Sequence, residues 1–265
     1  MPKKLNKLCV LGQGISYSLS PLLHVSFART LGEQDTGFAY DIVDVPPEKL
    51  ESTVERLLRE YQGFNVTKPY KEKVAAILGK SEPVNTVRCR DKASTSTDGA
   101  GFWQDYTRAF GAPRGNVLVL GAGGAAKAVL DSLENKEGVR VSVYNRTYEK
   151  AQALARGNIY AVTRPSGKYD AIVNCTSLGL HGEQSAPADL QIGHAKCYDL
   201  IYAPPKTPFL QCAKAGGAKI RNGLGMLIYQ AIASQEFWRE EDFDERTKKK
   251  LYKNALHALQ KRRRS

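Results

Sequence analysis

Apolar runs of strand length alternate along the chain with stretches whose apolar residues recur every three or four positions. Leu8–Leu11 reads as a strand, and Ser20-Pro21 reads as a helix start with Ser20 as N-cap and proline in the first turn. Phe38–Val43 predicts a second strand. Behind it Leu50, Val54, Leu57, Leu58 and Tyr61 fall on one face of a helix. A strand is expected over Gly63–Val66, a helix over Pro69–Leu78 and a strand over Val84–Arg90 that ends in the turn-like Asp91-Lys92. A helix from Gly99 to about Phe110 is broken by Gly111-Ala-Pro-Arg-Gly. A fresh βαβ series follows: strand Val117–Leu120, a glycine turn, helix Ala125–Leu133 and strand Val139–Tyr144. Ile159–Val162, Ala171–Asn174 and Cys197–Leu200 predict later strands.

Strands alternating with helices predict the α/β class. The break at Gly111–Gly115 places a domain boundary near residues 100–115. The expected division is 1–100, then 101–235, then a helical segment 236–265 packing back on the first domain. No apolar run approaches the roughly 18 residues of a membrane span, and no apolar core follows the basic residues at the N-terminus. A cytosolic protein is expected, without a membrane partner. Five scattered cysteines, Cys9, Cys89, Cys175, Cys197 and Cys212, show no Cys-x-x-Cys pair, and no His/Cys cluster has metal-ligand spacing. Neither a disulfide framework nor a metal site is expected. Cys9 and Cys175 fit strands as small packing residues. The net charge of +12 favours anionic partners. Much of it lies in Arg246–Arg264, where a solvated basic face and tail account for it, and no nucleic-acid-binding signature accompanies it.

The sharpest local signal is Gly121-Ala122-Gly123-Gly124-Ala125, because it follows a buried-type strand and opens a helix. Gly121 permits a tight turn, Gly123 lets the backbone approach a pyrophosphate, and small Ala126 allows close helix–strand packing. The helix N-terminus then presents free N–H groups and a positive dipole end to the phosphates. A dinucleotide site is expected. NAD sites usually end the next strand in an acidic residue that binds the ribose hydroxyls. Here that strand ends in Asn145-Arg146-Thr147. Arg146 offers a charged fork and Thr147 a hydroxyl to a 2′-phosphate, so the cofactor expected is NADP.

The first hundred residues carry three polar clusters: Gly12-Gln-Gly-Ile-Ser-Tyr-Ser18-Leu-Ser20-Pro21, Asn65-Val-Thr67-Lys-Pro-Tyr-Lys71-Glu, and Val84-Asn85-Thr86 with Ser96-Thr97-Asp98-Gly99. Together with the glycine turn, Asn145-Arg-Thr and Gly223-Leu-Gly-Met-Leu-Ile-Tyr-Gln230, they make the chain resemble the shikimate dehydrogenase family over nearly its whole length. The resemblance implies an N-terminal α/β substrate domain, a Rossmann-like NADP-binding domain and a cleft between them. It implies reversible NADPH-dependent reduction of 3-dehydroshikimate to shikimate, in aromatic amino-acid and chorismate biosynthesis; a monomer or homodimer is expected. By motif match Ser18 and Ser20 would bind the substrate carboxylate, and Asn65, Thr67, Asn85 and Asp98 the ring hydroxyls. Lys71 would sit beside Asp98 at the reacting carbon, and Tyr202 and Gln230 match further substrate contacts. Gly225 and Met226 match the segment against the nicotinamide, and Asn174, Thr176 and Ser177 the loop over the ribose side.

The residue types suit the chemistry. Hydride transfer to a ketone leaves an alkoxide that must be stabilised and protonated. Lys71 is expected in the first turn of its helix with Lys68 and Lys73 near, which disfavours its charge, while a paired Asp98 favours it. Either Lys71 donates the proton, or it acts as an electrostatic clamp while Asp98 shares the proton. Taken singly, each of these residues also has a plain structural role, such as the helix caps Ser20 and Asp98. His24, His181, His194 and His257 are expected as surface or packing residues. Gly14 and Tyr17 stand where the family usually has proline and histidine, and Ser96 replaces an asparagine. These bear on pocket shape and on the choice between shikimate and quinate. The alternatives are a quinate/shikimate dehydrogenase of relaxed specificity, a catalytically inactive NADP-binding sensor, and a nucleic-acid binder driven by basic charge.

Overall fold

The computed structural model describes residues 5–33, 37–184, 186–187 and 190–262. The arginines of the basic tail beyond Arg262 lie outside the described residues. Two compact units are present: the first takes the chain up to Thr97 and again from Ile228 onward, and the second takes Asp98–Leu227.

The first unit is built on a five-stranded sheet of order β2-β1-β3-β4-β5. Its strands are β1 (Lys7–Gly12), β2 (Ala39–Asp44), β3 (Gly63–Val66), β4 (Thr86–Arg88) and β5 (Ala93–Thr95). β1 pairs in parallel with β2 and β3, and β4 is antiparallel to both neighbours. The period of two in β1 sends Cys9 and Leu11 to one face, where Leu50, Val54, Leu57 and Val74 from α2 (Leu50–Glu60) and α3 (Lys71–Ile77) cover them. Leu8 and Val10 point to the other face with Tyr40 and Trp238. That face carries α1 (Ser20–Thr30) and α9 (Glu245–Arg262), which pack together. Trp238 explains Gly63: a side chain there would land on its indole ring, whose N–H donates to the Val87 carbonyl at 2.8 Å.

The second unit holds a six-stranded parallel sheet of order β11-β10-β9-β6-β7-β8. The strands are β6 (Gly115–Leu120), β7 (Val139–Tyr144), β8 (Ile159–Val162), β9 (Ala171–Asn174), β10 (Lys196–Asp199) and β11 (Lys219–Asn222). Val117 and Val119 of β6 pack on one face with Phe102 and Val129, and Leu118 and Leu120 on the other with Phe209 and Leu210. Burial on both faces is why the strand reads as an unbroken apolar run. The helices are α4 (Asp98–Phe110), α5 (Gly124–Leu133), α6 (Tyr148–Gln152) and α7 (Pro208–Ala215). α8 (Leu224–Arg239) gives its first turn to the second unit and the rest to the first. No helix among the described residues is long and apolar enough to cross a membrane.

Several local expectations are corrected. Ser20 does not cap α1; it is the first helical residue after Leu19, and its N–H donates to the Ser18 hydroxyl at 3.3 Å. The helix after Pro69 begins only at Lys71, the expected strand 84–90 shortens to Thr86–Arg88, and Cys175 lies just past β9. The hydrophobic pattern does not predict β5, α6, α7, β11 or most of α8. α7 carried a readable signal, since Thr207 accepts from the Leu210 N–H and Pro208 opens the helix.

His24 is a packing histidine. It is buried, stacked on Tyr40 at 4.3 Å and edge-on to Phe27. Arg239 makes a two-pronged pair with Glu33 and donates to Gln235 Oε1, so the Gln235 amide N–H faces His24 Nδ1 at 2.8 Å. Protonating the ring would set a donor against that donor, near the Arg239 charge. Burial is the largest cause holding the group down, from 6.5 to about 3, and the Arg239 charge adds to it. Because the folded value is depressed, the stabilisation is present above pH 6.5 and is lost as pH falls toward 3. Unfolding free energies of wild type and His24→Gln measured from pH 7 to 4.5 should diverge by up to about 1.4 kcal/mol per pH unit, with the wild type losing more. Parallel curves would contradict a buried neutral ring.

Candidate active site

In the second unit the chain leaves β6 toward β7 and β8, and returns to β9 on the opposite side of β6 before moving to β10 and β11. This reversal opens a crevice at the carboxyl ends of β6 and β9, where open α/β sheets take their ligands. The loop after β6 is the glycine turn. Gly121 has φ +104°, and a Cβ there would meet Thr176 Cγ2 at 3.1 Å and the backbone of Cys175 and Thr176 at 3.3 Å. A side chain is therefore excluded by both conformation and space. Gly123 and Gly124 have nothing within 4 Å of where a Cβ would stand, so the backbone is open to a close ligand. Gly123 is the N-cap of α5 and supplies no side-chain cap, which leaves the first-turn N–H groups available to an anion.

A cavity of about 530 Å³ lies over this turn, lined by Gly121, Ala122, Gly123, Tyr144, Asn145, Arg146, Thr176, Ser177 and Pro187 among others. Arg146 is exposed just past β7, where a 2′-phosphate on the ribose would be met. Asn145 shapes this corner by donating from Nδ2 to the Thr147 carbonyl at 2.9 Å. No carboxylate is among the described lining residues. The cradle, the open helix end and the unopposed arginine fit NADP.

Asn174 is fully buried at the end of β9. Its Nδ2 donates to Asp199 Oδ1 at 3.0 Å and to the Leu178 carbonyl at 3.4 Å, and its Oδ1 accepts from the N–H and hydroxyl of Thr176. Both donors and both acceptor directions of the amide are thus engaged within the protein. Asn174 shapes the loop that carries Thr176 and the exposed Ser177. Asp199, also buried, additionally accepts from the Ile201 N–H at 3.0 Å and the Thr207 hydroxyl at 2.5 Å. Burial pushes its carboxyl above the usual range against these hydrogen bonds. One carboxylate therefore fixes both the cavity loop and the segment bearing half-buried Tyr202.

In the first unit, Ser18 and Ser20 are half-buried at the loop leading into α1. That loop is held by Asp44, whose carboxylate accepts from the Gly14 and Ile15 N–H groups at 2.8 Å. Asn65 and Asn85 are buried in a polar web. Asn65 accepts from the Tyr40 hydroxyl at 2.7 Å, and its Nδ2 lies 3.0 Å from each of the Asn85 carbonyl, the Thr86 hydroxyl and the Ser234 hydroxyl. Asn85 accepts from the Thr97 N–H at 2.8 Å and donates to the Thr97 hydroxyl at 3.0 Å. Thr67 follows β3, with its N–H on the Leu11 carbonyl at 2.9 Å. Lys71 is the first residue of α3 and half-buried, and Gln230 is half-buried on α8. In the second unit Asp98 begins α4, with Gly99 next to it so close to the Ala128 carbonyl that a Cβ would stand 2.7 Å away. Gly225 and Met226 form the buried first turn of α8.

A doubly wound parallel sheet with a phosphate cradle at its reversal point, and a guanidinium in place of the usual ribose-binding carboxylate, defines an NADP-binding α/β protein. Comparison with known proteins makes this specific. Residues 10–87 match the sequence model of the shikimate dehydrogenase substrate binding domain, and residues 107–172 that of shikimate / quinate 5-dehydrogenase. The chain is 37% identical to the shikimate dehydrogenase (NADP(+)) of an Exiguobacterium species, over 94% of this chain and 98% of that protein. It is 36% identical to the enzyme of the same name from Alkalilimnicola ehrlichii, over 88% and 93%. The crystal structure of Thermus thermophilus shikimate 5-dehydrogenase in complex with NADP(H) and shikimate superimposes with a TM-score of 0.82 at 33% identity, covering 96% of this chain and 100% of that one. The chain belongs to the shikimate dehydrogenase family, a family of NADP-dependent oxidoreductases.

Replacing Arg146 by Ala should raise the dissociation constant for NADP about tenfold or more and leave that for NAD within about twofold, as loss of a charge-assisted phosphate contact requires. Titration calorimetry with both dinucleotides checks this. Equal weakening of the two would remove Arg146 from the 2′-phosphate.

Proposed function

We propose that the protein catalyses the reversible NADPH-dependent reduction of 3-dehydroshikimate to shikimate, as a step of aromatic amino-acid and chorismate biosynthesis. What carries this reading is the full-length likeness to an enzyme crystallised with NADP(H) and shikimate, taken with Arg146 at the lip of the cavity. When bound, the dinucleotide supplies the hydride that adds to the substrate carbonyl carbon.

The chain's residues do the rest. The N–H groups of the α5 N-terminus hold the pyrophosphate, and Arg146 and Thr147 the 2′-phosphate. Thr176 and Ser177 face the ribose side, on a loop kept in shape by Asn174. Ser18 and Ser20 bind the substrate carboxylate through their hydroxyls. Thr67, with the web that carries Asn65 and Asn85, orients the ring hydroxyls, and Tyr202 and Gln230 contribute further contacts. Gly225 and Met226 lie against the nicotinamide. Lys71 and Asp98 hold the proton that the carbonyl oxygen takes up as hydride arrives, and receive it back in the oxidative direction. An ammonium at that oxygen also stabilises the developing alkoxide.

Steady-state rates of wild type and Lys71→Ala with shikimate and NADP test the assignment. The variant should lose about 10²–10⁴-fold in kcat, the range of acid–base catalysis, while binding NADP as before. A variant that keeps its rate would remove Lys71 from the chemistry. A wild type that binds NADP and turns over neither shikimate nor quinate would favour a sensor.

A further inference from the structure

A buried carboxylate outside the assigned residues joins the two parts of the second unit that the proposed reaction uses. Asp105 is fully buried on α4, seven residues after Asp98 and so on the same helix face. Its carboxylate accepts the Tyr198 hydroxyl at 2.8 Å, Arg221 Nε at 2.9 Å and Arg221 Nη2 at 2.5 Å. Tyr198 is buried on β10 and Arg221 stands on β11, so one side chain of α4 is pinned to two neighbouring strands.

The first turn of α8 sits directly on this cluster. A Cβ added to Gly225 would fall inside the Asp105 carboxylate, so only glycine lets the backbone approach. Met226 and Tyr198 are buried in the same apolar cluster. The carboxylate therefore lies against the N-terminal end of a sixteen-residue helix, where negative charge is favoured. Neither Asp105 nor Tyr198 lines the cavity over the glycine turn.

We propose that Asp105 is a positioning residue: with Tyr198 and Arg221 it fixes Gly225–Met226 where that turn receives the nicotinamide, and through α4 it holds Asp98 in register with it. The proposal rests on the assignment of Gly225–Met226 and Asp98 under the proposed function. Its part is to accept the hydrogen bonds of Tyr198 and Arg221 without touching substrate. Asparagine keeps the volume at this position but loses the charge that pairs with Arg221, and Tyr198→Phe removes one hydroxyl from the same cluster.

The test uses full-length Asp105→Asn and Tyr198→Phe, each first confirmed as folded by its thermal transition. Affinities for NADPH and for 2′-phospho-ADP-ribose, which lacks the nicotinamide, are compared. The expected result is unchanged binding of 2′-phospho-ADP-ribose, together with loss of about fivefold or more of the extra affinity that wild type shows for NADPH. With shikimate, kcat should fall about tenfold or more, with little change in the KM for shikimate. In the reductive direction, with 3-dehydroshikimate and NADPH deuterated at C4, the isotope effect should rise as hydride transfer becomes slower. Folded variants that bind both ligands as wild type does, with an unaltered isotope effect, would overturn the proposal. Activity that falls only in proportion to the folded fraction would do the same. If wild type fails to oxidise shikimate, the proposed function fails, and the two binding measurements still decide the role of Asp105.

Discussion

The structure turns on the conformation of Gly121. Its positive φ reverses the chain within one residue of β6 and brings the backbone against Cys175 and Thr176, leaving no room for a side chain. From that single constraint follow the direction of α5, the exposure of its first-turn N–H groups and the position of the cavity at the reversal point of the sheet. A side chain at residue 121 would strain the turn and push the β9 loop away, and the anion cradle and the ribose side of the cavity would be lost together.

Around the cradle, precision comes from buried polar groups whose hydrogen bonds stay inside the protein. Asp199 and Asn174 shape the Thr176–Ser177 loop, Asp105 and Tyr198 the first turn of α8, and Asn65, Asn85 and Thr97 the sheet edge of the first unit. Burying such groups is costly unless every donor and acceptor finds a partner, so each web has one well-defined arrangement. That rigidity suits hydride transfer, in which small displacements between reacting atoms cost large factors in rate.

The cofactor half was legible because its signals are local. β6 is an apolar run with both faces buried, the glycines follow it directly, and Arg146 ends the next strand. The substrate half was legible only as a resemblance, because Ser18, Asn65 and Lys71 are common residue types with no spacing that dictates their chemistry. Asp105 was invisible to sequence reasoning. Its partners lie 93 and 116 residues away, and nothing in the pattern of α4 distinguishes a carboxylate turned inward from one in solvent. The Ser20 cap failed for the opposite reason: Ser-Pro is a good local signal, but the loop tied to Asp44 starts the helix one residue earlier than that signal implies. β5 escaped because three residues paired with one neighbour carry too little alternation to stand out.

The proposed function requires a dinucleotide site specific for NADP and a centre that oxidises shikimate. The most direct measurement is the appearance of NADPH absorbance when the purified wild-type protein is given shikimate and NADP, with quinate and NAD substituted in turn. NADPH and 3-dehydroshikimate should form in equal amounts, with shikimate and NADP the preferred pair. No NADPH from shikimate, or faster turnover of quinate with NAD, would contradict it.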